Sequence, residues 1–573
     1  MSERVSPFGF ARDFITGWDA LATMIVLALL VFFAEASSGL MQPLAELQAM
    51  PLSLDPSHLP EYAARTTLRM FAAMALSLAF TFTYATWAAK SEPAGKLLIP
   101  LLDILQSVPI LGFISITVVF FMSLAPGRVL GAELAAVFAI FTSQAWNMAF
   151  SFYQSLRTVP SELREAADSF RLSPWMRFWR LEVPFAAPAL VWNMMMSMSG
   201  GWFFVVASEA ISVGHTSVKL PGVGSYIALA IEQRNLVAIG WAIATMLIVI
   251  LLYDQLFFRP LVAWVDRFRV EQEPGSRAPQ SFILTMLVRS RLIRSFTQLL
   301  RTLAQWTNRL APRVSSTRIS HPSRTHRLAN TIWLSVIVAV LIVVSWQGAR
   351  GLVAHTSWSD GLEVIELGAI TMLRVFVLIA IASLIWVPVG VWVGLRPKAT
   401  RIVQPIAQFL AAFPANLLFP VVVFGIVRGN LNPDLWLSPL MILGTQWYIL
   451  FNVIAGASAL PGELRYAAQN LQVRGWLWWR RVGLPGIFPF YVTGAITASG
   501  GSWNASIVAE LASWGDSKVR AHGLGAYIAS ATAEGDFHRT VLGVATMSLF
   551  VVTINRLFWR PLYYYAERSF RLA

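Results

Sequence analysis

The chain has 573 residues, 44 Lys and Arg against 30 Asp and Glu, and is 56% hydrophobic but only 13% charged. That charged share is about half of what soluble domains carry, so a water-soluble enzyme is excluded and an all-α polytopic membrane protein is expected. The absence of cysteine excludes disulfides, thiolate zinc sites and cysteine nucleophiles.

In chain order, a short cytoplasmic segment is expected over 1–17. Apolar runs then predict six spans near 18–40, 66–88, 101–122, 130–153, 186–206 and 237–258, since about 20 residues cross a bilayer. The first run has no small-residue cleavage site ahead of a soluble domain and reads as a retained helix. Residues 259–329 hold 13 Lys and Arg against 3 Asp and Glu. Such a cluster reads as cytoplasmic chain beside anionic lipid, not as a nucleic-acid surface. Within it, Leu292, Phe296, Leu299, Leu303, Trp306 and Leu310 recur at helical spacing among arginines, which predicts an amphipathic helix lying on the membrane over 280–312. Six further spans follow near 331–348, 371–394, 404–427, 437–458, 487–507 and 539–558.

The second set repeats the first. The stretch from Thr66 to Arg69 matches that from Thr371 to Arg374 at an offset of 305, and Val108-Pro109 matches Phe413-Pro414. From Pro160 the offset is 301. Pro160 to Ala167 (PSELREAA) pairs with Pro461 to Ala468 (PGELRYAA), Glu209 with Glu510, and Arg259-Pro260-Leu261 with Arg560-Pro561-Leu562. The expected domains are a first six-helix unit over 18–268, a basic linker over 269–330 and a second six-helix unit over 331–573. An even number of spans per unit makes them parallel repeats about an axis along the membrane normal. With the amino terminus inside, the loops within the units carry 14 Lys and Arg on the cytoplasmic side and 8 outside, which places both termini in the cytoplasm.

The cytoplasmic loop from Glu165 to Pro184, like its copy ending at Pro485, resembles the EAA loop of permeases in binding-protein-dependent ABC importers. The resemblance covers both units almost end to end. It is closest to the nitrate, sulfonate or taurine, and bicarbonate branch, through Arg69 and Arg374, the step at Pro109 and Pro414, and the Gly-x-Gly-x-Tyr-Ile runs from Gly222 and Gly523. The resemblance implies two tandem type-I importer domains of about 12 helices in a bacterial inner membrane. It also implies a small inorganic or organic anion as cargo, an extracytoplasmic binding protein, and two ATPase subunits docked on the coupling loops. The coupling residues it implies are Glu162, Arg164, Glu165, Ala166 and Ala167, and in the second copy Glu463, Arg465, Tyr466, Ala467 and Ala468. The sequence departs from the family where a glycine is usual, at Arg171 and Gln472, and has Tyr466 in place of the motif's glutamate.

No phosphate-binding Gly-x-x-x-x-Gly-Lys-[Ser/Thr] run occurs, and Gly95-Lys96-Leu97 lacks both the leading glycine and the hydroxyl. The chain is therefore expected to hold no cofactor and to be no enzyme, with Mg-ATP bound by partner subunits. No acid or histidine set has metal-ligand spacing. Candidate pathway residues are Gln106 and Ser107 before the Pro109 step, Trp202, Trp503 and Asn504 beside paired glycines in the fifth spans, and Glu209 and Glu510 at their outer ends. Intramembrane ionisable groups are functional candidates by default, although Glu209 and Glu510 equally suit pairing with a cation. An importer for another small metabolite, or a twelve-helix ion-coupled transporter, are the competing readings.

Overall fold

A computed structural model describes residues 52–107, 110–213, 216–268 and 356–570, with a few isolated positions outside them. The expected spans at 18–40 and 331–348, the segment 1–17 and the amphipathic helix at 280–312 lie outside the described residues.

The first unit begins with α1 (Pro56–Lys90), α2 (Glu92–Ser107), α3 (Ile110–Leu124), α4 (Val129–Arg157) and the short α5 (Ser161–Ser169). It continues through α6 (Pro174–Glu209), the strands β1 (Ala210–Val213) and β2 (Thr216–Lys219), α7 (Val223–Glu232) and α8 (Leu236–Phe268). The second unit runs α9 (Trp358–Gly394), α10 (Pro397–Ala412), α11 (Ala415–Gly429), α12 (Pro433–Leu443), α13 (Gln446–Ser458) and α14 (Gly462–Asn470). It closes with α15 (Gly475–Ala509), β3 (Leu511–Trp514), β4 (Ser517–Arg520), α16 (Leu524–Glu534) and α17 (Phe537–Ser569). Among the described residues seven helices are long and apolar enough to cross a membrane, and two bent pairs bring the number to nine.

The repeat extends to local chemistry. Asn235 caps α8 by accepting from the Ala238 N–H, and Asp536 caps α17 by accepting from the Arg539 N–H. An N-cap acceptor satisfies one of the helix's orphan donors. Single π-helical turns recur in register at Phe178–Glu182 and Trp479–Gly483, and at Asp254–Phe258 and Asn555–Trp559. The antiparallel hairpins match too, Ala210 facing Lys219 in one and Leu511 facing Arg520 in the other.

The third span of the second unit differs from expectation. In place of one helix over 404–427, α10 and α11 meet at a bend of 72°. Pro414 cannot donate to the ladder, and the residue before a proline is pushed out of the helical region. Phe413 accordingly sits at φ −70°, ψ 128°. In the first unit α2 is described to Ser107 and α3 from Ile110, with residues 108–109 outside the described residues. The paired glycines, by contrast, do not unwind the fifth spans. α6 and α15 are unbroken through them; a Cβ on Gly201 would lie 2.6 Å from the Gln144 amide, and one on Gly501 2.4 Å from the Thr445 methyl. Gly201 and Gly501 serve close packing, whereas Gly200 and Gly500 have room beside them.

Candidate translocation pathway and coupling surface

The two units meet along α6 and α15, α6 against α10 and α11 and α15 against α3. The Ile110 N–H, at the start of α3, donates to Asn504 Oδ1 at 2.7 Å. Across the pseudo-axis, Asn416 Nδ2 in α11 donates to the Phe203 carbonyl at 3.0 Å. The Ser199 hydroxyl donates to the Ala411 carbonyl. Between these contacts lies a cavity of about 330 Å³. Both units line it, the first through α2, α3, α4 and α6, the second through α10 to α13, α15 and α17. Its lining among the described residues contains no charged side chain; its polar groups are hydroxyls and amides such as Thr142, Asn147, Tyr448 and Asn555. The N-terminal residues of α3 and α11, Ile110 and Ala415, both face it, and helix N-termini carry partial positive charge.

Of the candidate pathway residues, the structure brings Gln106, Trp503 and Asn504 to this cavity. Gln106 Nε2 also donates to Asn147 Oδ1 at 3.2 Å. The Ser107 side chain lies outside the described residues. Trp202 is buried in the packing of the first unit, edge-on to Tyr253, and is not part of the cavity wall.

Glu209 and Glu510 lie away from the cavity, in two buried ion clusters that the repeat duplicates. Arg69 Nη1 reaches Glu209 at 2.7 Å, while its Nε and Nη2 form a fork to Glu133, each at 2.6 Å. Glu209 also accepts from the Thr66 hydroxyl at 2.6 Å and from the Gly224 N–H at 2.7 Å. In the second unit Arg374 bonds Glu510 at 3.0 Å and Asp434 at 2.7 Å, and Glu510 accepts from Thr371 and the Gly525 N–H. A buried carboxylate needs paired and hydrogen-bonded neighbours, and here each has both. The close glycine runs explain themselves as well, since a Cβ on Gly222 or Gly523 would fall within 2.3 Å of a carboxylate atom. Sequence reasoning missed Glu133 and Asp434; the signal was a lone acid at the head of an apolar span facing an arginine two helices away. The second cluster has one extra member, His522, whose N–H and ring nitrogen meet Asp434 at 2.7 and 2.9 Å.

The coupling loops fold alike. Each short helix presents one alanine outward, Ala166 or Ala467, and buries the next, Ala167 or Ala468. Glu162, Glu165, Glu463, Arg465 and Tyr466 are exposed. Arg164 instead folds back, its Nη2 donating to the Leu156 carbonyl at 3.0 Å. Arg171 and Gln472 take φ of 50° and 52°, the left-handed region in which glycine alone is unstrained. The turn survives the loss of its usual glycine, at a conformational cost.

Over residues 81–267 and 386–568 the chain matches the family described as binding-protein-dependent transport system inner membrane component. Similar proteins include the glycine betaine/carnitine transport permease protein GbuB of Listeria monocytogenes, 27% identical over 26% of this chain and 48% of that protein. The bicarbonate transport system permease protein CmpB of Synechococcus elongatus is 24% identical over 30% of this chain and 54% of its own length. The nitrate import permease protein NrtB of Leptolyngbya laminosa is 23% identical over 33% and 64%. The chain thus spans about half to two thirds of the length of these curated relatives. The duplicated architecture and the two matched segments agree: this is a member of the family of inner-membrane components of binding-protein-dependent transport systems, carrying that domain twice.

Proposed function

We propose that this chain is the complete pair of permease halves of an ATP-driven importer and forms the pathway for a small inorganic or organic anion such as bicarbonate, nitrate or a sulfonate. The observation that carries the reading is the cavity between the units, walled by both and faced by the N-terminal residue of α11, Ala415, at the bend of the second unit's broken helix. Discontinuous helices whose amino ends point at a mid-membrane site attract anions without a formal cation. Relatives named for bicarbonate and nitrate support that cargo. An extracytoplasmic binding protein delivers it to the hairpin-bearing side, and two ATPase subunits holding Mg-ATP bind α5 and α14 in the cytoplasm, where both termini lie. ATP binding draws the coupling helices together and opens the pathway outward; hydrolysis reverses it. This chain needs no cofactor.

The betaine permeases among the relatives and the aromatic wall of Trp146, Tyr448, Trp503 and Trp559 favour a second reading, a compact zwitterion whose quaternary ammonium lies on ring faces. Co-purification from membranes tests the energy source. An ABC-type ATPase is expected to accompany the wild-type chain and to be lost from the exposed Glu165→Lys/Ala166→Trp variant; a folded wild-type chain that recruits none removes the importer reading. Uptake of labelled bicarbonate, nitrate and glycine betaine by the reconstituted complex then separates the two cargoes.

A further inference from the structure

The two units share a scaffold, but the space beside their fifth spans differs between them. In the first unit Gln144, Met70 and Met198 are buried at 0 to 1% exposure and interlock, the Gln144 amide lying 3.2 and 3.6 Å from the two sulfurs. Their counterparts in the second unit are Thr445, Val375 and Ser499, each a shorter side chain. Phe204 and Tyr253 correspond to Ala505 and Ile554, again a loss of bulk, while Asn147 corresponds to Tyr448. The cavity follows most of these replacements, although Phe204 and Asn147 also line it and Val375 does not. Thr445, Ser499, Ala505 and Ile554 all line it, whereas Gln144, Met70, Met198 and Tyr253 do not. The last helix of the second unit contributes Val551, Ile554, Asn555 and Trp559 to the wall; the last helix of the first unit contributes nothing. A well-packed interior leaves no room for a solute, so the first unit's version of this site is filled by its own side chains.

We infer that the pathway holds one solute site, displaced from the pseudo-axis into the second unit between α13, α15 and α17, and that it receives a single small oxyanion through neutral donors. The donors are on the wall. The Tyr448 and Ser499 hydroxyls and the Asn555 amide make no hydrogen bond to a described residue, and Asn504 Nδ2 has only a 3.3 Å bond to the Gly500 carbonyl. Such dipoles suit a solute that must be released again, because an ion pair of full charges in a low-dielectric site would hold it. This inference rests on the importer reading for its anion and adds the location, the number of sites and the residues.

The chain has no cysteine, so single-cysteine probes need no background removal. In the full complex with its ATPase, Ser499→Cys is expected to react with the anionic reagent methanethiosulfonate ethylsulfonate at least tenfold faster than Met198→Cys, and modification to stop nitrate and bicarbonate uptake. Filling the site with the first unit's residues, Ser499→Met/Ala505→Phe, is expected to abolish uptake, and Tyr448→Phe, which removes one hydroxyl, to raise the KM for the transported anion several-fold. Equal labelling at both cysteines, or uptake that survives the filled site, overturns the inference. Wild-type complex that takes up neither anion, with the labelling contrast intact, overturns the anion reading and leaves the one-sided site standing.

Discussion

Arg69→Met should destabilise the chain by about 1–3 kcal/mol more than Arg374→Met, although the repeat puts the two arginines in equivalent places. Arg69 is 3% exposed and holds two acids, Glu133 at 12% and Glu209 at 0%. Its removal deprives Glu133 of both forked bonds and leaves Glu209 to the Thr66 hydroxyl and the Gly224 N–H. Breaking a buried pair by deleting one partner costs about 3–5 kcal/mol, because the remaining charge is left uncompensated. Arg374 makes two bonds, and Asp434, at 37% exposure, keeps His522 and water as partners after the change. Glu510, 1% exposed, is stranded just as Glu209 is, so both variants lose a buried pair and the extra loss at Arg69 is that of Glu133, about 1–3 kcal/mol for an unsatisfied polar group. The assay is thermal unfolding of the purified protein in detergent, followed by tryptophan fluorescence, with Arg69→Met/Glu209→Gln/Glu133→Gln as the third corner of the cycle. Neutralising the stranded acids should recover part of the loss. Equal midpoints for the two single variants, or no recovery in the triple, would refute the argument that uncompensated burial sets the difference.

Two other outcomes follow from backbone geometry. Arg171→Gly and Gln472→Gly should each stabilise the chain by about 1 kcal/mol, read as a higher unfolding midpoint, because a left-handed L-residue costs roughly that much over glycine; the pair should add, being in separate loops. Gly515→Ala should weaken the tip of the second hairpin by about 1–3 kcal/mol, since Gly515 sits at φ 57° with Arg234 Nε 2.1 Å from the position of its Cβ; faster proteolysis or hydrogen exchange confined to 511–520 would report it.

The duplication, the helical class and the paired short loops from Pro160 and Pro461 were legible in the sequence because each rests on a local, repeated pattern. Pro160 to Ala167 and Pro461 to Ala468 announce themselves by offset alone. The bend at Phe413-Pro414 was visible as a proline but not as a break of 72°, since proline inside an apolar run is compatible with a kink or with two helices. The role of Glu209 and Glu510 was not legible. Whether an acid faces a pathway or an arginine depends on Glu133 and Asp434, which reach Arg69 and Arg374 only through the packing of α1 on α4 and of α9 beside α12. The one-sided cavity was not legible: the replacements that open it, Gln144 by Thr445 and Met198 by Ser499, look like ordinary core drift until the helices are placed.

The turn between β3 and β4 reaches across to the other unit: the Gly515 N–H donates to the Ile231 carbonyl at 3.0 Å, and Arg234 meets Asp516 at 2.9 Å in solvent. One neutral hydrogen bond and one exposed ion pair are together worth about 1–2 kcal/mol, a population bias of roughly five- to thirtyfold. That is the strength of a catch and not of a weld. At that rim it adds only a weak link between the two halves, one that any event favouring separation there by a few kcal/mol would overcome. Salt, which screens the ion pair, should therefore loosen this rim while leaving the buried arginine clusters beneath it untouched.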